Sequence, residues 1–224
     1  MHAETWKQRD VALAFLSERA LSIPDRQRQL DVLLQLLRFA PRPPGRVLDL
    51  GCGDAILLAA VLEAFPNASG VALGFSPAML EQARQRLTAF GPRATIVEAD
   101  LADPAWRLAV AAPFDAVVSG VAIHHLCHEY KRALYREVYE LLANGGAFVH
   151  CEHVASESPR LEEIFNDTMA DHLWRRRHDC GEAVTREKVV REFVDRPDRC
   201  ANILAPVEEP CRLVRDIGFR KVDC

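Results

Sequence analysis

The stretch "VLDLGCGDAILLAAVLEAFPNASGVALGFSPAML", residues 47–80, decides the fold. With Arg46 it opens as "RVLDL", a short apolar run that ends at Gly51, as a buried parallel strand does. Gly51 and Gly53 follow at the turn, where glycine bends the chain tightly and leaves no Cβ between main chain and a ligand. "AILLAAVLEAF" then reads as a helix, "PNASG" closes it, and "GVAL" (70–73) is a second strand. Ser76 and Pro77 form an N-cap and first-turn pair for a helix over residues 76–90.

Outward from this unit the alternation continues. "ATIVEAD" (94–100) and "FDAVVSG" (114–120) read as strands, "YKRALYREVYELLA" (130–143) as a helix and "GGAFVHCEHV" (145–154) as a fifth strand. Strands alternating with helices imply right-handed βαβ crossovers and a mostly parallel, doubly wound α/β sheet between two helical layers. Upstream, residues 8–20 and 25–39 read as two amphipathic helices, with Pro24 at the start of the second, and "APRPPG" (40–45) breaks them from the first strand. Downstream the alternation stops. "SPRLEEIFNDTMADHLWRRRHD" (158–179) and "TREKVVREFVD" (185–195) are helical, "EPCRLVRDIG" (209–218) is a last helix, and "FRKVDC" (219–224) looks like the start of a sixth strand.

A chain of 224 residues fits one domain. Its net charge of −4 gives no general reason to bind nucleic acid or anionic lipid. The N-terminus "MHAETWKQRD" lacks a signal-peptide core, and the longest apolar run is too short to span a bilayer. Seven irregularly spaced cysteines without a Cys-x-x-Cys pair argue against a disulfide framework or zinc ribbon and favour a reducing cytoplasm. A monomer or homodimer is expected.

In an open parallel sheet, ligands bind beyond the carboxyl ends of the strands, which is where Gly51 and Gly53 fall. A Gly-x-Gly turn also serves plain strand-to-helix connections, so further signals must decide. A dinucleotide loop has glycine or alanine at its sixth position, and this one has Ile56, which disfavours a nicotinamide oxidoreductase. Asp49 at the strand tip suits an amino-acid-bearing nucleoside better than a pyrophosphate, because a carboxylate there can orient the loop or a ligand ammonium.

Five segments in register then resemble one family, the class I S-adenosylmethionine-dependent methyltransferases of small-molecule type: "VLDLGCGD", "GVALGFSPAMLEQAR", "VEADLADP", "FDAVVSGVAIHHL" and "LLANGGAFVHCEHV". The resemblance implies a Rossmann-like αβα fold, S-adenosylmethionine as cofactor and an oxygen, nitrogen or carbon acceptor. It places Asp49, Gly51, Cys52 and Gly53 around the methionine moiety. Phe75, Ser76 and Met79 fall near ribose and adenine, Asp100 at the adenine amino group, Leu101 on its ring, and Ser119 at the methionine end. Two positions depart from the family pattern. Ala55 stands where glycine is usual, which an ordinary φ at a helix start would tolerate. Gly74 stands where the family has the acid that accepts hydrogen bonds from the ribose hydroxyls. Losing such a contact costs roughly 1.5–3 kcal/mol, or about 10- to 150-fold in affinity, with Asp54 a possible substitute. Gly74 is also the best support for the rival reading, a non-catalytic ligand-sensing or interaction protein on the same fold.

Candidate bases follow strands four and five: His124, His125, Glu152 and His153. Period-two alternation puts His150 and Glu152 on one face. His124, Cys127, His128 and Glu152 are suitable metal ligands, but their spacing matches no zinc pattern and no metal is expected. By the resemblance, residues 1–40 and 156–205 form a helical lid around a cofactor-binding core at 45–155, with residues 206–224 as the last helix and a shortened sixth strand. Trp6, Arg26, Phe165, Met169 and Trp174 are then the expected substrate residues. The three arginines of "LWRRRHD" read as a solvated helix face, or alternatively as an anion clamp. The family's return strand after strand six has no counterpart here, so strand six is expected to be poorly ordered, displaced or paired with another chain.

Overall fold

The computed structural model describes residues 3–22, 25–196, 199 and 201–224; Pro24, expected at a helix start, lies outside them. The apolar runs become β1 (Arg46–Leu50), β2 (Ser69–Gly74), β3 (Ala94–Glu98), β4 (Phe114–Gly120) and β5 (Leu142–Cys151). All pair in parallel, in the order β3-β2-β1-β4-β5. The described helices are α1 (Arg9–Ser22), α2 (Arg26–Phe39), α3 (Ile56–Ala64), α4 (Pro77–Leu87), α5 (His128–Leu141), α6 (Pro159–Asp179), α7 (Arg186–Val194) and α8 (Glu208–Ile217).

Successive strand residues point to opposite faces, and the sheet is apolar on both. Val47, Ala116 and Val118 meet Leu33 and Leu37 of α2 and Leu58 and Val61 of α3. Leu48, Leu50 and Val117 meet Leu134 and Val138 of α5 and Leu213 of α8. Each aliphatic side chain buried this completely contributes roughly 1.5–3 kcal/mol. Helix α5 shows why the alternation in the sequence was readable: Leu134, Tyr135, Val138 and Leu141 recur along one helical face and are buried, while its other face is charged. Among the described residues no helix is long and apolar enough to cross a membrane.

From β1 the chain builds outward to β2 and β3, then crosses back to β4 and β5 on the other side. The strand order therefore reverses beside β1, and a crevice opens between the carboxyl ends of β1 and β4. Helix α1 and the turn before it lie over α4, joined by Trp6, Ala12, Ala78 and Met79. Residues 219–224, expected to begin a sixth strand, carry no strand. Gly218 ends α8 at φ 125° and Phe219 packs on Tyr139 instead, with ring centroids 5.0 Å apart.

Candidate active site

Asp49 is fully buried at the tip of β1, and its Oδ2 accepts a hydrogen bond from Leu58 N at 3.1 Å. That bond ties the strand to the first turn of α3 and fixes the loop between them. Gly51 adopts φ +64°, and a Cβ there would stand 2.4 Å from Ala122 Cβ, so both conformation and crowding demand glycine. Gly53, at φ +56°, would have nothing nearer to its Cβ than Met79 Sδ at 3.8 Å, so the space beside its backbone is open. The Cys52 N–H is committed to Leu73 O at 2.9 Å, which stitches the loop to β2.

Around this loop is a cleft holding about 1010 Å³ of space, part of it open to solvent. Asp49, Gly51, Cys52 and Gly53 form one wall, Gly74, Phe75, Ser76 and Met79 a second, and Asp100 and Leu101 a third. Asp100 Oδ1 accepts from Ala102 N at 2.9 Å, which fixes that carboxylate at the cleft edge. Trp6, Arg26 and His125 also line it, as do Phe15, Gly120 and Ala122, which sequence reasoning missed. Phe15 had a signal, its place on an amphipathic helix; Gly120 and Ala122 had only their position at the end of β4. Ser76 is the N-cap residue of α4, yet its hydroxyl makes no capping bond, and the buried Oγ has no partner. Buried polar atoms are nearly always hydrogen-bonded, so this one is set for something that enters the cleft.

A sequence profile described as a methyltransferase domain matches residues 47–146. The carboxy-S-adenosyl-L-methionine synthase of Campylobacter lari is 24% identical over 221 residues, 96% of this chain and 86% of that protein. The trans-aconitate 2-methyltransferase of Acidovorax sp. is 32% identical over 111 residues, 50% of this chain and 39% of that protein. Among solved structures, an O-methyltransferase family protein from Burkholderia thailandensis superposes with TM-score 0.62 at 22% identity, over 87% of this chain and 51% of that one. The chain thus spans about half the length of that solved structure. Residues 47–146 thus carry a methyltransferase domain.

The methyltransferase core fits the family's cofactor at several points: the open space beside the Gly53 backbone, the unpartnered Ser76 hydroxyl and Asp100 at the cleft edge. Other expectations need correction. Ser119 does not line the cleft; it is fully buried and donates to Leu50 O at 2.8 Å, joining β4 to β1. Asp54 does not replace the missing ribose acid, because it is buried and paired with Arg86 Nη2 at 2.7 Å. Ala55 does not have an ordinary φ; at +59° it is left-handed, a conformation that favours the family's usual glycine. At Gly74 a Cβ would meet Cys52 Sγ at 3.2 Å and Leu80 Cδ2 at 3.3 Å, so a side chain there needs its neighbours to give. The Cys52 thiol is pushed well above its usual pKa by burial and by Asp49 and Asp54, which rules it out as a ready nucleophile.

The histidine cluster divides. His125 alone lines the cleft, its ring 5.2 Å from that of Trp6. Its Nδ1 lies 3.3 Å from Ala201 O, and a carbonyl only accepts, so the proton sits on Nδ1 and Nε2 keeps the lone pair. Burial, with the neighbouring His124, pushes its pKa down to about 3. His124, Glu152 and His153 face a separate cavity between α5, β5 and α8. There Glu152 accepts from His124 Nδ1, from His124 N at 3.1 Å, from His150 Nε2 at 3.0 Å and from His153 N at 2.9 Å. Burial alone would raise its pKa, but the bonds from His124 and His150 hold it far below the carboxylate range. The His124 ring backs that of His125 at 3.9 Å between centroids. No group of described residues is arranged to hold a metal, and Cys127 is exposed.

Of the expected substrate residues, Trp6 and Arg26 line the cleft and three do not. Phe165 is 60% exposed on α6. Met169 lies on the same helix away from the cleft, and Trp174 donates its Nε1–H to Val184 O at 3.1 Å, inside the α6–α7 hairpin. Of the arginine run, Arg175 pairs with Asp171 and Arg177 with Glu182 and Glu192. What the segment after α7 brings to the site is main chain: Ala201 O to His125, and Ile203 N to His124 O at 2.9 Å.

Proposed function

We propose that this chain binds S-adenosylmethionine along the glycine loop and transfers its methyl group to an oxygen or nitrogen of a small-molecule acceptor. The observation that carries this reading is the open space beside the Gly53 backbone in a cleft that Trp6 also lines. When bound, the cofactor supplies an electrophilic methyl on a cationic sulfur. Asp49 and the loop main chain hold the amino-acid end, Asp100 and Leu101 the adenine, and the Ser76 hydroxyl the sugar side. Trp6 and Phe15 exclude water, which strengthens every polar contact inside. His125 accepts a hydrogen bond from the acceptor and so aims its nucleophile; with a pKa near 3 it orients rather than retains a proton, which passes to solvent. A reducing cytoplasmic setting suits the described cysteines, all of them free thiols.

Calorimetry with S-adenosylmethionine and S-adenosylhomocysteine on the wild-type chain and on Gly74→Asp tests the reading. Weak wild-type binding that Gly74→Asp tightens by roughly tenfold or more supports it. Absence of binding by both leaves the non-catalytic reading in its place.

A second reading has its own support. The carboxy-S-adenosyl-L-methionine synthases align with nearly the whole chain, from 20 to 24% identity over 96% of it. Under that reading the nucleoside itself gains a carboxylate. Mass spectrometry of the nucleoside released from purified protein separates the two, because in the second case a carboxyl group replaces a hydrogen and the mass rises by that of CO2.

A further inference from the structure

Two buried nitrogen donors in the cleft wall are unaccounted for by the nucleoside contacts above. Arg26 opens α2, and its guanidinium reaches the carboxyl end of β4: Nη2 lies 3.7 Å from where a Cβ on Gly120 would stand. Nη1 donates to Gln29 Oε1 at 3.2 Å, while Nε is buried with no partner. Among the described residues no carboxylate pairs with Arg26. Trp6 is only 7% exposed, and its indole Nε1–H is likewise buried without a partner. Unsatisfied buried donors cost free energy unless a ligand completes them, and a guanidinium lacking its anion in a partly desolvated wall costs the most. The cleft's own carboxylates, Asp49 and Asp100, are on the nucleoside walls and already accept main-chain hydrogen bonds. The positive charge therefore stands alone on the side where the reacting partner must enter.

We infer that Arg26 and Trp6 form a carboxylate-binding subsite, so that the ligand group facing the methyl-transfer position carries a carboxylate. A planar carboxylate has lone pairs enough for both the guanidinium and the indole N–H, and a hydrogen bond between a guanidinium and a carboxylate is charge-assisted and strong. This inference rests on the cleft assignment made above. It leaves two sources for the same chemistry, a free acidic acceptor or a carboxylate borne by the nucleoside.

The test uses the intact chain and three sets of probes. Succinate, benzoate and trans-aconitate, each against its neutral methyl ester, are titrated with and without S-adenosylhomocysteine and followed by tryptophan fluorescence. Carboxy-S-adenosylmethionine is titrated against S-adenosylmethionine by calorimetry. The variants are Arg26→Gln, Arg26→Lys and Trp6→Phe, each checked for an unchanged melting temperature. An acid that binds at least tenfold better than its ester, with that preference lost in Arg26→Gln, reduced in Trp6→Phe and partly kept in Arg26→Lys, supports a free acidic acceptor. A tenfold preference for the carboxylated nucleoside, lost in Arg26→Gln, supports the second source. Equal binding of every acid and ester together with equal binding of the two nucleosides, or a carboxylate preference that survives Arg26→Gln, overturns the subsite. Because the acids are also titrated without nucleoside, failure of nucleoside binding is seen separately and defeats the methyl-transfer reading on its own.

Discussion

Among the described residues, Glu152 is a heavily committed carboxylate, with four hydrogen-bond donors around it. It touches no part of the nucleotide cleft, so its charge serves the packing behind His125. Glu152→Gln removes the charge but keeps the shape, and each charge-assisted bond it weakens is worth about 1.5–3 kcal/mol. Urea unfolding of that variant should show a loss of about 2 kcal/mol or more with S-adenosylhomocysteine affinity unchanged; a loss under about 0.5 kcal/mol would mean the amide satisfies the same donors. At Gly74 the expected gain from aspartate is limited by the thiol at Cys52, because the new Cβ stands 3.2 Å from its Sγ. The Gly74→Asp, Cys52→Ala double variant should therefore bind S-adenosylmethionine at least as tightly as Gly74→Asp alone, by calorimetry. Asp49, Gly51 and Gly53 were legible in the sequence because a strand tip and its turn are local. The separation of His125 from His124, Glu152 and His153 was not, because the two adjacent histidines line different cavities. Which cavity each lines is fixed by contacts with residues 201–205, far along the chain.

Elements were easier to read than their partners. Every run assigned to strands one to five became one: β1, β2 and β4 in the middle of the sheet are largely buried, while the edge strands β3 and β5 are half-buried or exposed. The helices after β5 were also legible, but their docking was not. Periodicity places Phe165, Met169 and Trp174 on α6 without saying what that helix faces, and α6 turns toward α7 and α1 rather than into the cleft. Trp174→Phe removes the indole bond to Val184 O, and Thr185→Ala removes the cap that accepts from Lys188 N at 3.3 Å. Each should cost about 1 kcal/mol in thermal or chemical unfolding, and neither should change ligand affinity. A large loss of acceptor binding in Trp174→Phe would return α6 to the site. The expected sixth strand failed for a different reason: "FRKVDC" has strand-like residues, but Gly218 ends α8 in a turn that sends Phe219 into the α5–β5 side as a packing residue.

At the scale of the whole molecule, the buried imidazoles make folding stability depend on pH, and the sign can be worked out. His125 is held neutral by burial and by His124, with its pKa down at about 3 against the usual value near 6.5. His153 shifts in the same direction, again by burial first. Between the two values the unfolded chain binds a proton that the folded chain refuses, so stability rises with pH through that window. The contribution is fully present above about pH 6.5 and is lost as the pH falls from there toward 3, at up to about 1.4 kcal/mol per pH unit for His125. Glu152 works the same way lower down: its depressed pKa adds stability that is present above about pH 4.3 and fades only on further acidification. The wild-type chain should therefore lose stability steadily between pH 6.5 and 5, where no carboxylate of ordinary pKa has yet titrated. His125→Gln keeps a side-chain N–H for Ala201 O but cannot titrate, so its unfolding free energy should be markedly flatter over that range. Denaturant unfolding of the two proteins at half-unit pH steps decides the matter. Parallel curves would place the acid sensitivity elsewhere and show His125 free to take a proton, which would restore it as a proton-retaining base in the cleft.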